Sequence, residues 1–379
     1  MLIEQLDALA KEEMAREEEY KIKLKRAREV LAALATSPEA LNRAGESRTS
    51  WLVAEPLEEL SRPHPLPARP AAWTVLAADG SQIYPDQHRQ LFCYLLNIGL
   101  VVLPYGRQGE VVLASRPYLF YREEELYQQA DGSLISPELI ACRRAVMELE
   151  ALAEAAARVP RPAVALVDGT LILWSLGAGS AEQQEWLQNY LAALAAAREV
   201  GLPLAGYISG SRATDVVNLL RLSLCAREEA VDCDRCAYPP GERPCLELAG
   251  LRDAGLWKSI LSPGERSPVY RSQSRVLKQY GQHHVCFFYL RGPEEVARVE
   301  VPAWVATDKA MLDLVHSLVY DQAVRGQGYP VALAEAHEQA VVRAAERECF
   351  LQELDRLRAA RGAGPGMTPK FARKRQGLL

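Results

Sequence analysis

Two aspartates each follow a short apolar run and precede a glycine and a hydroxyl residue. The first run ends at Asp79, before Gly and Ser, and the second ends at Asp168, before Gly and Thr. A short apolar run bounded by a turn is typical of a buried strand, so each strand is predicted to deliver a carboxylate to an edge of a sheet. Converging carboxylates either hold a divalent cation or repel each other. The alternative is that Asp-Gly is only a common hairpin turn, which explains a matched pair less well.

A third carboxylate lies between the two aspartates in the chain, on a helix predicted over residues 136–158. Glu148 and Glu150 flank the apolar stripe of this helix, and either could lean toward the sheet edge. A third acid would complete a site for one or two Mg²⁺ or Mn²⁺ ions, which clamp the attacking and leaving oxygens of a phosphodiester. The alternative for each glutamate is a solvated side chain that is paired with an arginine one turn earlier.

Tyr207, Arg212 and His337 could complete such a site. Tyr207 lies in a predicted strand, and Arg212 comes just before a predicted helix, where the backbone N–H groups, the helix dipole and the guanidinium all suit a phosphate. His337 stands among acids on a helix near the C-terminus and could orient a phosphate or water, or ligate a metal. The alternatives are a core-packing aromatic for Tyr207 and a paired surface histidine for His337.

Four cysteines cluster in a segment rich in Pro and Gly, with the pattern Cys-x7-Cys-x2-Cys-x8-Cys. A Cys-x2-Cys pair with two further thiols nearby fits tetrahedral zinc, and an iron–sulfur cluster is the open alternative. The outer spacings differ from those of a standard zinc ribbon. The cluster consists of Cys225, Cys233, Cys236 and Cys245, whereas the other cysteines are interpreted as isolated apolar side chains.

The elements that must position these residues follow from periodicity and turn signals. A charged helix over 1–35 and a proline-rich connector over 55–72 precede the body. Strands are predicted over 73–79, 91–104, 110–121, 163–168, 202–209, 267–273, 284–291 and 295–302, and helices over 136–158, 180–200, 213–226, 308–325 and 331–361. Three meandering strands followed by alternating helices and strands predict a mixed sheet with helices on its faces, which is an α/β architecture.

Charge and hydropathy exclude several classes of protein. The 379 residues include 49 acids and 44 bases, a formal net charge of −5, so no global positive field attracts nucleic acid or a membrane. The sequence shows neither an apolar run of membrane-spanning length nor a signal peptide, and a cytoplasmic location is expected. It also lacks a P-loop, so the chain is not itself a motor ATPase. Any affinity for DNA must come from local bases, for which the candidates are Arg212, Arg266, Arg271, Arg275 and the tail from Lys370 to Arg375.

An ordered set of motifs between residues 73 and 350 resembles the NurA nucleases. The motifs are Asp79-Gly-Ser, Asp168-Gly-Thr, Gly206-Tyr-Ile-Ser-Gly-Ser-Arg212, Phe287-Phe-Tyr-Leu-Arg291, Val299-Glu-Val-Pro302-Ala-Trp304, Gly328-Tyr-Pro330 and Glu335-Ala-His337. The resemblance implies an RNase H-like domain and a ring-like homodimer. It also implies a manganese-dependent 5′-to-3′ exonuclease and single-strand endonuclease that acts with the hexameric ATPase HerA in DNA end resection.

Roles for single residues also follow from this resemblance, position by position. It implies that Asp79, Asp168 and a helix glutamate, either Glu148 or Glu150, bind the metal. It further implies that the remaining active-site residues are Tyr207 and His337. The cysteine segment departs from the archaeal pattern and is similar to bacterial members.

The sequence therefore predicts an RNase H-like mixed sheet flanked by helices, with helical appendages and a cysteine-bearing insertion. Residues 1–72 form the N-terminal helix and connector, and residues 73–350 form the nuclease domain with the cysteine-bearing segment 225–262. Residues 351–379 form the end of the C-terminal helix and a basic tail. The predicted function is that of a metal-dependent DNA nuclease. Two alternatives stay open: a non-catalytic adaptor of a motor ATPase, and a metal-dependent phosphatase or nucleotide hydrolase.

Overall fold

The structure is a computed structural model that describes residues 2–85, 92–128, 132–174, 181–225 and 229–362. Its internal contacts divide the chain into two compact units. The first unit comprises Met1–Arg69, Gly169–Ile172 and Ala205–Pro330, and the second comprises Pro70–Asp168, Leu173–Leu204 and Val331–Leu379. The bases of the predicted tail lie outside the described residues. The sequence-based division of the chain at residues 72 and 350 stays a prediction.

The strands and helices follow in chain order. The strands are β1 (Ala54–Pro56), β2 (Trp73–Ile83), β3 (Tyr94–Tyr105), β4 (Val112–Phe120), β5 (Ala163–Asp168), β6 (Leu204–Ile208), β7 (Tyr270–Ser272), β8 (Val285–Arg291) and β9 (Val296–Pro302). The helices are α1 (Leu2–Ala35), α2 (Pro38–Glu46), α3 (Glu123–Leu126), α4 (Pro137–Ala156), α5 (Ala181–Glu199), α6 (Asp215–Cys225), α7 (Asp253–Lys258), α8 (Ala303–Ala306), α9 (Lys309–Arg325), α10 (Val331–Ala340) and α11 (Ala344–Ala360).

The second unit is built on strands in the order β5-β2-β3-β4. Strands β2, β3 and β4 form an antiparallel meander, and β5 pairs with β2 in parallel. Residues 75–78 of β2 are fully buried, as expected of a strand that is covered on both faces. Three antiparallel strands, then a helix and a strand parallel to the first, match the predicted RNase H-like mixed sheet. The predicted fold class is therefore confirmed.

Strand β2 does not end at Asp79, and this part of the sequence prediction is wrong. Asp79 pairs with Gly99 of β3, and the pairing continues without a break to Ile83 and Leu95. Gly80 lies within the strand and is not among the glycines with a left-handed backbone, whereas Gly169 has a φ of 93° and ends β5 with a turn. The two Asp-Gly pairs are thus different structures, because the long partner strand β3 keeps the first pair extended.

Helix α4 begins as predicted. The Ser136 hydroxyl oxygen accepts a hydrogen bond from the backbone N–H of Leu139, and Pro137 occupies the first turn. The buried face of α4, which includes Val146 and Leu149, packs on β2 and on α5. This packing fixes which side chains of α4 can reach the sheet.

Helix α10 packs directly on β2 and β3, and a glycine allows this close approach. A methyl group added at Gly99 would overlap the carbonyl oxygen of Ala336 and lie 2.6 Å from the amide nitrogen of Ala340. The end of α10 is held by Asn97, whose side-chain N–H donates to the carbonyl oxygen of Ala340 at 2.8 Å, and by the hydroxyl of Ser81, which donates to the same oxygen. The sheet therefore caps the C-terminus of α10.

The predicted continuous helix over residues 331–361 is wrong, because the chain forms two helices there. Helix α10 ends at Ala340, and α11 begins at Ala344 after an extended Arg343 (φ −68°, ψ 155°). The backbone N–H of Arg343 donates to the carboxylate of Glu346, which is a capping interaction for the new helix. The capped carbonyl of Ala340 and the new N-terminus together break the helix.

The first unit contains strands in the order β1-β7-β8-β9-β6, all paired antiparallel. Helix α1 confirms the predicted N-terminal helix, and its second half packs on the core of this unit through Leu24, Leu31 and Leu34. Residues 57–72 contain neither helix nor strand, as the prolines of the connector predict. None of the described helices combines the length and apolar character that a membrane span requires.

The contact between α10 and β3 makes stability sensitive to any side chain at Gly99. We expect Gly99→Ala to destabilise the protein by about 1–3 kcal/mol, because the added methyl meets backbone atoms that no rotamer change can move. Urea unfolding measures this change. The control is Gly45→Ala in α2, where no atom lies within 4 Å of the added methyl and where alanine should stabilise the helix by about 0.5–1 kcal/mol. Equal effects of the two substitutions would contradict the close packing of α10.

Candidate functional site

Two carboxylates of the second unit come from neighbouring parallel strands at the same level. The pairing of β2 with β5 extends to Ala78 and Val167, and the next residues along these strands are Asp79 and Asp168. Residues at matching positions of parallel strands point to the same face, so both aspartates project to one side. Asp79 is mostly buried, and Asp168, at the end of β5, is exposed.

Asp79 and Gly80 point to opposite faces of the sheet, and a different helix covers each face. The partner of Asp79 in β3 is Gly99, on which α10 packs. On the other face, a methyl group added at Gly80 would lie 2.6 Å from the Arg144 side chain and 2.7 Å from Glu148 Oε1, both on α4. Gly99 and Gly80 therefore leave room for α10 and α4 to approach Asp79 from opposite faces of the sheet.

Asp79 is oriented by two donors of its own unit. Its Oδ1 accepts a hydrogen bond of 2.8 Å from the backbone N–H of Gly80. Its Oδ2 lies 2.8 Å from Nδ1 of His337 on α10, which donates when that nitrogen carries the proton. The His337 side chain is 61% exposed, whereas that of Asp79 is 16% exposed. His337 is thus placed to orient Asp79 while its ring stays accessible to solvent.

Of the two helix glutamates, Glu148 points inward and Glu150 is exposed. Only 12% of the Glu148 side chain is exposed, and its Oε1 lies 3.4 Å from Nε of Arg144 without a hydrogen bond to any described residue. Burial raises the pKa of Glu148 to about 8; Arg144 opposes this shift, and the charges of Asp79 and Asp168 add to it. The three carboxylates are therefore close enough to influence one another's charge.

The remaining predicted active-site residues, Tyr207 and Arg212, lie in the first unit. Tyr207 is buried, and its hydroxyl donates to Oε1 of Glu295 at 3.2 Å. Burial and the charge of Glu295 raise the pKa of Tyr207, so the phenol stays protonated. These contacts fit the core-packing alternative, and the catalytic role of Tyr207 stays a prediction. Arg212 is exposed and forms neither a hydrogen bond nor an ion pair with any residue that the structure describes.

Two bases that the sequence suggested for DNA binding have other partners in the first unit. Arg266 is buried and donates from both terminal nitrogens to the Glu58 carboxylate, at 2.7 and 3.0 Å. Arg271 lies 3.2 Å from Glu55. The suggestion is therefore wrong for Arg266, which holds the proline-rich connector to the body.

The four cysteines of the predicted thiolate site line one cavity in the first unit. Across the described ranges, however, no group of three or more His, Cys, Asp or Glu side chains is already arranged to hold a metal ion. This holds for the cysteines and for the three carboxylates alike. Metal binding at either place therefore stays a prediction.

Comparison with known proteins decides the family. The model of the NurA domain family matches residues 74–342, which is most of the chain. The chain belongs to the NurA domain family. The resemblance stated from the sequence motifs is confirmed, and membership of this family supports the prediction of a nuclease. No curated protein matches the chain.

Solved structures of NurA proteins are among those to which this NurA-domain protein is similar. The NurA nuclease from Sulfolobus solfataricus is 12% identical, with 89% of this chain and 95% of that chain covered and a TM-score of 0.49. A structure of NurA with manganese is 11% identical, with 88% and 95% covered and a TM-score of 0.39. The catalytic domain of human endonuclease V is 15% identical, with 85% and 97% covered and a TM-score of 0.32.

Sequence reasoning considered Arg144 only as the partner of a solvated glutamate and missed its place beside the carboxylates of this NurA-domain protein. Its guanidinium donates to the carbonyl oxygen of Gly80 at 2.8 Å and to Oε1 of Gln82 at 3.1 Å, and it lies against Glu148. Arg144 therefore links α4 to β2 and supplies the positive charge nearest to Glu148. The spacing of four residues between Arg144 and Glu148 was a signal, although it indicated a surface pair.

A second missed residue, Glu300 of β9, holds the turn that follows Asp168. Its Oε2 accepts hydrogen bonds from the Thr170 hydroxyl at 2.7 Å and from the backbone N–H of Leu171 at 2.9 Å. Glu300 is 1% exposed and is paired with Arg298 at 2.9 Å. The Thr170 hydroxyl of the Asp-Gly-Thr motif therefore has a structural partner, Glu300, within the first unit.

The pKa of Glu148 predicts a characteristic pH dependence for the metal-free protein. Because the folded-state pKa of about 8 lies above the ordinary value of 4.5, the folded state binds more protons than the unfolded state between these pH values. The resulting stabilisation is complete below pH 4.5 and is lost as the pH rises through 8. With a chelator present, we expect Glu148→Gln to lose less stability than the wild type between pH 5 and pH 9.

The matched control is Glu150→Gln, which changes an exposed glutamate two residues later on the same helix. Its unfolding free energy should follow that of the wild type at every pH. Thermal or urea unfolding at a series of pH values measures all three proteins. Parallel curves for the wild type and Glu148→Gln would contradict the raised pKa.

Proposed function

We propose that this protein is a metal-dependent deoxyribonuclease that hydrolyses phosphodiester bonds. The observation that carries the proposal is the gathering of Asp79, Glu148 and Asp168 in one unit, from β2, α4 and the end of β5. Three acids from separate elements are more than a turn or a surface pair requires. Membership of the NurA domain family supports this reading of the acids.

The three carboxylates are the residues that would hold Mn²⁺ or Mg²⁺, because such hard cations take oxygen ligands. The buried Oε1 of Glu148, which lacks a hydrogen-bond donor among the described residues, fits a metal ligand. Each oxygen of Asp79 accepts one hydrogen bond and keeps a second lone pair for an ion. When bound, a divalent cation lowers the pKa of an attacking water and neutralises charge on the phosphate.

Two residues of the second unit hold the acids of this site in place. Arg144 holds Glu148 against β2, and His337 fixes the rotamer of Asp79 through a hydrogen bond. Glu148 keeps its proton near neutral pH while buried, so cation binding must release that proton. Separately, within the first unit, the exposed guanidinium of Arg212 is the base that we assign to DNA phosphates.

Substitution of the acids tests the proposal directly. We expect Asp79→Asn, Asp168→Asn and Glu148→Gln each to lower Mn²⁺-dependent cleavage of labelled single-stranded DNA by more than about 100-fold, because each removes a ligand. His337→Ala should cost about 10–100-fold, the usual effect of losing a group that orients a ligand. Glu150→Gln should keep full activity.

Each variant must first unfold at a temperature close to that of the wild type, so that loss of activity is not loss of fold. Undiminished cleavage of DNA by Asp79→Asn would contradict the proposal. A wild type that cleaves neither DNA nor small phosphoesters would favour the adaptor alternative. Hydrolysis of small phosphoesters without cleavage of DNA would favour the phosphatase alternative.

Finer features of the proposal rest on family membership and on the sequence motifs. These features are 5′-to-3′ exonuclease and single-strand endonuclease activity, use of manganese, and a role in DNA end resection and repair with a HerA-type hexameric ATPase. We infer a cytoplasmic location on the same basis. Strands labelled at the 5′ or the 3′ end, and circular single strands, distinguish the polarity and the endonuclease activity.

The assembly that we propose is a homodimer. A chain with a net charge of −5 does not attract DNA by its overall field, and a two-fold dimer would enclose a strand between two local basic patches. The first half of α1 offers surface for assembly, since Leu2, Leu6 and Leu9 are 46–69% exposed.

Light scattering should give about twice the chain mass of 42.0 kDa. When a HerA-type ATPase is added, it should give a heavier species that contains both proteins. A monomer that degrades DNA processively without a partner would contradict the enclosed channel.

A further inference from the structure

The four clustered cysteines converge on one cavity of the first unit, although they come from separate pieces of chain. The cavity has a volume of about 660 Å³, and all four cysteines are among the residues that line it. Cys225 ends α6, Cys233 begins a short 3₁₀ turn, Cys236 follows that turn, and Cys245 lies in a second 3₁₀ turn over Pro244–Leu248. The fold therefore gathers thiols that the sequence only suggested were related.

The thiols are close enough to affect one another. Cys225 and Cys245 share a hydrogen bond, and Cys233 and Cys236 line the same cavity. Thiols are soft donors that suit a metal such as zinc, and this cavity brings four of them together.

The segment that carries these thiols has little core of its own. Most residues between 234 and 244 are exposed, whereas the second 3₁₀ turn, which holds Cys245, packs on α6 and α1. Two backbone hydrogen bonds of 2.8 Å join Arg48 to Val231 and Cys233. The ion pairs of Arg48 with Asp232 and Asp234, at 3.8 and 3.5 Å, involve exposed side chains and add little stability.

We propose that Cys225, Cys233, Cys236 and Cys245 bind one Zn²⁺ ion in a closed, structural four-thiolate site. Zinc takes four thiolates tetrahedrally, and a full set of protein ligands leaves no position for a substrate. Within the described residues the thiols are gathered but not yet arranged around one point. Metal binding therefore draws them inward, closes the cavity, releases the thiol protons and fixes the segment to Cys225 at the end of α6.

Metal analysis of the full-length protein, purified without added metal, tests this proposal. We expect one zinc per chain in the wild type and less than about a tenth of that in Cys233→Ser and Cys236→Ser, because a site with three thiolates binds zinc far more weakly. Cys349→Ser, which removes an exposed thiol outside the cluster, should keep the zinc. Asp79→Asn should also keep it, which separates this ion from any ion at the carboxylates.

Thiol titration of the folded protein gives a second measurement that does not depend on the variants. Cys349 is the exposed thiol, and Cys93, Cys142 and Cys286 are buried. The zinc-loaded protein should therefore expose one fast-reacting thiol per chain, and a strong chelator should add those of the cluster. Chelation should also speed tryptic cleavage at the exposed Arg235 by at least about tenfold, because local opening limits such cleavage.

If the serine variants fail to fold, cobalt can replace zinc in the wild type. Absorption bands of tetrahedral Co²⁺ with thiolate ligands would then support the site. Iron with labile sulfide, which uses the same four thiolates, would overturn the zinc assignment. Fresh protein without zinc, in which the cluster thiols react as fast as Cys349, would overturn the proposal. Either result leaves the nuclease assay unaffected, because the cysteines lie outside the proposed catalytic residues.

Discussion

The burial of Glu148 beside two other carboxylates is the constraint on which the second unit depends. Asp79 and Asp168 project from neighbouring strands at one level, and Glu148 approaches the same place from α4. Burial is the main cause of the raised pKa of Glu148, and the charges of Asp79 and Asp168 add to it. Arg144, beside Glu148, opposes this shift, and His337 lies 2.8 Å from Asp79.

The alternation of side chains in β2 explains how two helices reach the same carboxylates. Gly80 leaves room for α4 on one face, and Gly99, the partner of Asp79 in β3, leaves room for α10 on the other. Larger residues at either position would hold a helix away by the width of a side chain. The site thus depends on two glycines with ordinary extended backbones, whose value is their small size and not a left-handed φ.

The sequence predicted what depends on local signals. The strand ending at Asp168, the capped start of α4 and the N-terminal helix all follow from periodicity, caps and turns. It could not predict that the run ending at Asp79 continues as a strand, because pairing with β3 decides this. The break after Ala340 was missed for the same reason, since Asn97 and Ser81 cap that helix from across the sheet. Nor could periodicity separate Glu148 from Glu150, which flank the same apolar stripe.

Buried acids occur in both units, and their hydrogen bonds distinguish structural acids from the candidate ligand. In the first unit, the Asp253 carboxylate accepts from the backbone N–H groups of Val216 and Val217 and from the Tyr289 hydroxyl, so both of its oxygens have partners. Burial nevertheless raises the pKa of Asp253, as it does that of Glu148. A raised pKa alone therefore does not identify a functional acid. Glu148 differs because its buried Oε1 has no donor within the described chain while two further carboxylates lie nearby. An unsatisfied buried oxygen next to like charges is costly for folding alone, and the divalent cation that we propose would remove both costs.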